Sequence, residues 1–113
     1  MSTMRNSVQL IGRPGNDPEL KKFENNRVVM HFSLAVNDSY LDANKKRVEN
    51  TQWFPIVAWD KLAENMANMI KKGKQVAIEG SLRNRDWTDN DGVRHFVTEV
   101  YASNFFLIER TQN

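Results

Sequence analysis

The chain has 113 residues, with 16 Lys and Arg against 14 Asp and Glu, a formal net charge of +2 and no cysteine. That length suits one small domain with one core, and the lack of cysteine excludes disulfides, thiolate catalysis and cysteine metal sites. No stretch approaches the roughly 18 to 20 apolar residues of a membrane span, and Met1 to Arg5 has no apolar run behind it as a signal peptide would. A cytosolic protein is expected. His31 and His95 stand far apart with no partner at metal-ligand spacing, so neither a metal nor a cofactor is expected.

A first strand is predicted from Met4 to Ile11, broken by the turn-forming run Gly12-Arg13-Pro14-Gly15-Asn16-Asp17-Pro18. Glu19 to Phe23 reads as a short strand closed by a turn at Asn25-Asn26. From Val28 to Asn37 apolar residues alternate strictly. Val28, Met30, Phe32, Leu34 and Val36 share one face, and His31, Ser33 and Asn37 the other, as in a half-buried strand. Tyr40 to Asn50 is polar and reads as a long hairpin loop. Thr51 to Trp59 is the next strand, with a bulge or an edge expected at Pro55, which has no N–H for the ladder.

Asp60 to Lys72 is the one predicted helix. Asp60 is its expected N-cap, Leu62, Met66, Met69 and Ile70 its apolar stripe, and Gly73 its C′ residue. Gln75 to Arg85 alternates again, with Val76, Ile78, Gly80 and Leu82 expected to face inward. Asp89-Asn90-Asp91-Gly92 supplies a hairpin turn. The last strand begins near Val93, runs to Ile108 and is expected to bend near Ser103-Asn104. This order predicts an all-β fold with one short helix, a five-stranded Greek-key barrel of the OB type. One such domain fills residues 1–113.

Function is carried by aromatic rings beside cations. Trp53 and Trp59 share a parity that puts them on one strand face, roughly 20 Å apart at the usual rise per residue. Trp87 follows Arg83-Asn84-Arg85, and Tyr40 stands at the mouth of the long loop. One tryptophan could be buried in a domain this small; three are too many, and Trp59 and Trp87 are flanked by charges. The basic clusters Lys21-Lys22, Lys45-Lys46-Arg47 and Lys71-Lys72 would by themselves read as solvated faces. Beside exposed rings they suit a single nucleic-acid strand: bases stack on the rings whatever the sequence, and Lys and Arg meet the phosphates. Duplex DNA hides its base faces, and no helix here resembles a major-groove reader.

Three stretches carry a family resemblance: Ile11-Gly12-Arg13-Pro14-Gly15-Asn16-Asp17-Pro18-Glu19; Thr51-Gln52-Trp53 followed by Trp59-Asp60-Lys61-Leu62-Ala63-Glu64; and, most specifically, the run from Lys72-Gly73 through Glu79-Gly80 to Trp87-Thr88-Asp89. Together they resemble the bacterial single-stranded DNA-binding protein family over nearly the whole chain. The resemblance implies an OB fold, a homotetramer and the wrapping and protection of single-stranded DNA in replication, recombination and repair. It also implies a cytoplasmic, nucleoid-associated protein.

By the same resemblance Trp53 and Trp87 match stacking tryptophans. Tyr40 and Trp59 replace other aromatic residues, and Phe96 matches a ring early in the last strand. Lys21, Lys61, Lys72, Arg83 and Arg85 fall at basic positions and are expected to meet phosphates, as are Lys45, Lys46 and Arg47 in the loop. Pro55 and Asp86 depart from positions often basic in the family, and lower affinity or a smaller site is expected from them. Phe54 replaces a histidine common at a subunit contact. The family's acidic, partner-recruiting tail does not follow here: the sequence ends at Arg110-Thr111-Gln112-Asn113, so a tailless or a truncated form is expected, the tailless one without tail-mediated recruitment.

Three rival readings have different signatures. A protein-interaction module of the primosomal type would have fewer stacking tryptophans. An RNA- or oligosaccharide-binding OB domain is separable by competition between DNA and RNA homopolymers. An enzyme would need a carboxylate pair, a nucleophile with its base, a metal set or a phosphate-binding glycine loop, and none is present in the sequence.

Overall fold

A computed structural model describes residues 5–108. The predicted strand start at Met4 and the chain end at residues 110–113 lie outside them. The strands are β1 (Val8–Pro14), β2 (Glu19–Lys22), β3 (Val28–Asn37), β4 (Tyr40–Leu41), β5 (Arg47–Val48) and β6 (Thr51–Trp59); helix α1 (Asp60–Met69) follows, then β7 (Val76–Thr88) and β8 (Arg94–Leu107). β1, β7, β8, β6 and β3 pair in a ring that closes where β1 returns to β3. β2 adds to the same edge of β3, opposite Val28 to His31, while β1 occupies Leu34 and Ala35. This is the expected five-stranded ring, with its helix between the third and fourth long strands.

The core is the inward face of that ring, capped by α1. Met30, Leu34, Ile56, Met66, Ile70, Val76, Ile78 and Val100 are all essentially inaccessible. Burying each such side chain stabilises the fold by roughly 1.5 to 3 kcal/mol before cavity terms.

Several expectations change for identifiable reasons. β1 does not stop at Ile11 but continues through Gly12-Arg13-Pro14. Gly12 makes this possible: a Cβ there would lie 2.2 Å from the Ala35 carbonyl oxygen, so only glycine lets β1 press onto β3 and close the ring. Pro55 causes no bulge, and the β3–β6 register runs unbroken from Trp59 to Thr51. Opposite it, Ser33 donates its N–H to Asn16 and accepts from the Gly15 N–H, so no ladder bond is lost. Pro55 also precedes the short parallel pairing of β6 with β8, and so sits on an edge.

Asp60 is not the N-cap. Trp59 holds that place with no side-chain cap bond, and Asp60 begins the helix at φ 55°. Its carboxylate turns back to accept from Arg27 Nε at 3.0 and 3.1 Å and from the Val28 N–H at 3.2 Å. α1 ends at Met69, before the lysines, and Gly73 (φ 79°) belongs to the Lys71–Lys74 turn that follows. Ala63, Met66 and Ile70 centre the buried face; Met69 lies about a quarter turn away and is exposed.

Leu82 also faces solvent. It continues an inward row, Phe32–Ile56–Val100–Leu82, but among the described residues nothing covers the row at its β7 end. The expected bend in β8 is a bulge. Glu79 pairs with Asn104 and Gly80 with Ala102, leaving Ser103 unpaired with its hydroxyl on the Glu79 carbonyl. Beyond the Arg83–Glu99 pair, past the contact of β8 with β6, β7 and β8 leave the barrel as a two-stranded arm.

Candidate functional site

Strand alternation sorts the predicted residues onto faces. An outward row crosses the sheet as Ser81–Tyr101–Val57–His31–Glu19. Stepping by two along each strand from this row reaches Arg83, Arg85 and Trp87 on β7, Trp53 and Trp59 on β6, and Lys21 on β2. Six of the predicted site residues thus share one exterior face. With no bulge at Pro55, Trp53 and Trp59 keep the common phase expected from their spacing.

Trp53 is 57% exposed and lies over Gly15. A Cβ at Gly15 would come within 2.6 Å of the Trp53 ring, so the glycine supplies a flat backbone seat and leaves the rest of the indole to solvent. Trp87 is 43% exposed on the arm. His95, directly across the arm, stacks on it with centroids 5.1 Å apart and 19° between planes, and the Arg85 guanidinium lies 4.8 Å from the ring. His95 is held in turn by Asp89 at 2.7 Å. That bond, with backbone N–H groups of the turn, lowers the Asp89 pKa. Arg85 also bonds Glu99 at 3.2 Å, which raises the arginine's pKa and keeps it charged. Arg83 stands 5.6 Å over the Tyr101 ring.

Trp59 is half-buried at the junction of β6 and α1. Phe23 stacks against it at 6.4 Å, Arg27 lies 5.0 Å from its ring, and Lys21 stands 5.5 Å over Phe23. The bonds from Arg27 and Val28 lower the Asp60 pKa, so the carboxylate that fixes Arg27 stays ionised. Lys61 is exposed in the first turn of α1. Lys72 is exposed beyond it, its backbone N–H donating to Asp17.

Tyr40, Lys45, Lys46 and Arg47 sit on a small hairpin, β4–β5, that prolongs β3 and β6 past their Asn37–Thr51 pair. Asp42 organises its turn by accepting from the Asn44 and Lys46 N–H groups, and Lys45 takes φ 62° at the tip. Tyr40 is 55% exposed. Arg47 is tied to Glu49 and Ser39, which leaves Lys45 and Lys46 as the freer charges.

Phe96 does not join the others. It pairs across the arm with Asp86, one residue out of phase with Trp87, and therefore lies on the reverse face. Asp86 lies there too, bonded to Arg94, whose guanidinium is 5.0 Å from the Phe96 ring. Asp86 therefore does not stand among the cations of the Trp87 face. Phe54, the replacement expected at a subunit contact, packs against the core.

Sequence reasoning passed over Phe23, Arg27, Tyr101, Glu99 and His95 as partners of the face. The parity of Lys21 and Phe23 was a usable signal; the others meet their partners only through register. Chemically, the face offers separated π surfaces, of which Trp59, Trp87 and Tyr101 each stand beside an arginine. It suits a flexible polyanion bearing flat groups. Among the described residues no group of three or more His, Asp or Glu could hold a metal, and no helix is long and apolar enough to cross a membrane.

Residues 5–108 match the model of the single-strand binding protein family. The chain is 39% identical over 104 residues to single-stranded DNA-binding protein 1 of Chlorobaculum tepidum, covering 91% of this chain and 64% of that protein, less than two thirds of its length. It is 44% identical over 106 residues to the single-stranded DNA-binding protein of Caldanaerobacter subterraneus subsp. tengcongensis, covering 94% and 69%. Among solved structures, a Plasmodium falciparum SSB complex with ssDNA superposes with a TM-score of 0.83 at 29% identity, covering 96% of this chain and 99% of the other.

Proposed function

The chain belongs to the single-strand binding protein family, and from that premise we infer that it binds single-stranded DNA without strong sequence preference. The observation that carries this reading is the exterior face on which Trp53, Trp59 and Trp87 share one strand parity, with Lys21, Arg83 and Arg85 among them. Bases stack on the three indoles and on Tyr40, each contributing about 1 to 3 kcal/mol. Phosphates meet Lys21, Arg83, Arg85, Lys61 and Lys72, and the Lys45-Lys46-Arg47 tip reaches strand beyond the barrel. Phe96 takes a base only where the strand crosses the edge of the arm. No covalent step is involved. The role is to hold and protect single strands exposed in replication, recombination and repair.

The test is quenching of tryptophan fluorescence by oligo(dT) at two salt concentrations. The expected result is strong quenching at low salt that weakens at high salt, because bound cations release counterions from the strand. Absence of quenching at low salt would count against the reading.

We further propose assembly as a homotetramer. An exposed apolar row crosses the outside of the ring as Ile11–Ala77–Phe106, with Ile11 54% and Phe106 58% exposed. Continuous apolar surface of this kind is characteristic of interfaces. Light scattering is expected to give the mass of four chains, and changing Ile11 and Phe106 to Glu should reduce it; a monomeric starting protein would refute the proposal.

A further inference from the structure

Trp87 stands where core packing does not orient it. On the arm β7 pairs with β8 alone, and the ring lies outside the core. What holds it is a chain of contacts that begins in the turn at the tip. Asp89 organises that turn: its Oδ1 accepts from the Asp91 and Val93 N–H groups, both at 2.9 Å. Its other oxygen, Oδ2, is 2.7 Å from His95 Nε2. His95 lies directly across the ladder from Trp87 and stacks on the indole with 19° between planes. The turn backbone thus fixes Asp89, Asp89 fixes the imidazole, and the imidazole fixes the indole. A ring pair held across strands has already lost rotamer freedom that a base would otherwise have to remove on binding.

The link is sensitive to protons. Histidine is the side chain that ordinarily changes charge between about pH 5 and 8. Asp89 stays ionised across that range, since the bond from His95 and those from the turn lower its pKa. An ionised carboxylate only accepts, so Nε2 carries a hydrogen in both charge states, and the proton that comes and goes is the one on Nδ1. Protonation turns a neutral stack into a cation–π contact and a neutral hydrogen bond into an ion pair. The charged groups around His95 are Asp89, from the turn, and Arg85 of β7, which lies over the same indole but is paired with Glu99. Arg94, its neighbour in sequence, is on the reverse face, bonded to Asp86.

We propose that His95 is a positioning residue for Trp87, and that its protonation strengthens the hold on single-stranded DNA at this end of the face. The proposal rests on the single-stranded DNA reading. A base stacked on Trp87 brings its phosphate within a Debye length of the imidazole, about 8 Å. A phosphate there favours the protonated ring, so binding takes up a proton. Affinity is therefore greatest below the histidine range and falls as pH rises through it.

The experiment measures oligo(dT) affinity by anisotropy in wild type, His95→Phe and His95→Arg, at constant ionic strength, from about pH 5.5 to about 8.5. Thymine does not titrate in that range. His95→Phe keeps a ring without the charge; His95→Arg keeps a charge that no pH in the range removes. Wild type is expected to match His95→Arg at the acid end and to fall by about 3- to 10-fold towards His95→Phe at the alkaline end. The slope relative to the variants is what counts, because His31 stands in the outward row opposite Glu19 and titrates in all three. A second readout needs no DNA. An imidazolium against an indole quenches its emission, so emission of the free wild type should drop on acidification by more than that of His95→Phe. Thermal unfolding checks that both variants keep the fold. Parallel pH profiles of wild type and His95→Phe, in affinity or in emission, overturn the proposal and leave Trp87 a stacking residue. Wild type that binds no oligo(dT) at any pH overturns the single-strand reading, and the proposal with it.

Discussion

Replacing Trp53 and Trp87 together with alanine is expected to weaken oligo(dT) binding by about 2 to 6 kcal/mol, since each ring supports one base. The fold should survive. Both rings face solvent, Trp53 resting on Gly15 and Trp87 on His95, and neither enters the core. An unfolding midpoint close to wild type is expected, because surface changes of this kind rarely exceed about 1 kcal/mol. Fluorescence anisotropy of a labelled oligonucleotide is the suitable readout, as two of the three indoles are gone. Full affinity in the double variant would mean that the strand runs elsewhere. Lost affinity with lost cooperative unfolding would instead make the rings structural.

The second large effect concerns the barrel rather than the DNA. Gly12→Ala should destabilise the protein by about 3 kcal/mol, the upper end for overpacking a tight site, and lower its melting temperature by roughly 10 to 20 °C. The clash is with backbone, 2.2 Å from the Ala35 oxygen and 3.0 Å from its carbonyl carbon, so no side chain can rotate to relieve it. Relief requires β1 to lift from β3, which opens the ring at its only contact between those strands. Gly73→Asn is the control. Nothing lies within 4 Å of a Cβ there, and asparagine tolerates φ 79°, so thermal unfolding should change little. A Gly12 variant as stable as that control would show that the seam yields.

Much of this architecture was readable from the sequence, where burial alone sets the pattern. The alternation from Val28 to Asn37 gave β3 with its bounds, and the helix and hairpin turn followed from local chemistry. The failures share a cause. Gly12 and Pro14 look like turn residues until Ala35, remote in sequence, is placed opposite them. Asp60 has the composition of a cap, but Arg27 and Val28 take its carboxylate. Leu82 has an inward parity, yet among the described residues no element covers that end of the row. The site divides in the same way. Parity put Trp53 and Trp59 together, while the separation of Phe96 from Trp87 and the meeting of Phe23 with Arg27 depend on register and on a turn.

The β7–β8 arm has a kinetic consequence. Beyond the Arg83–Glu99 pair it is largely solvent-exposed and has only its own ladder among the strand pairings, and isolated two-stranded ribbons are marginal. Its tip can bend and straighten on the nanosecond-to-microsecond scale of loops while the barrel stays rigid. Such bending would carry Trp87 through a volume wider than its docked position, so that a passing strand could meet it before the docked geometry is reached. On such a molecule the tip sets the capture radius, and the barrel sets how long the captured strand stays.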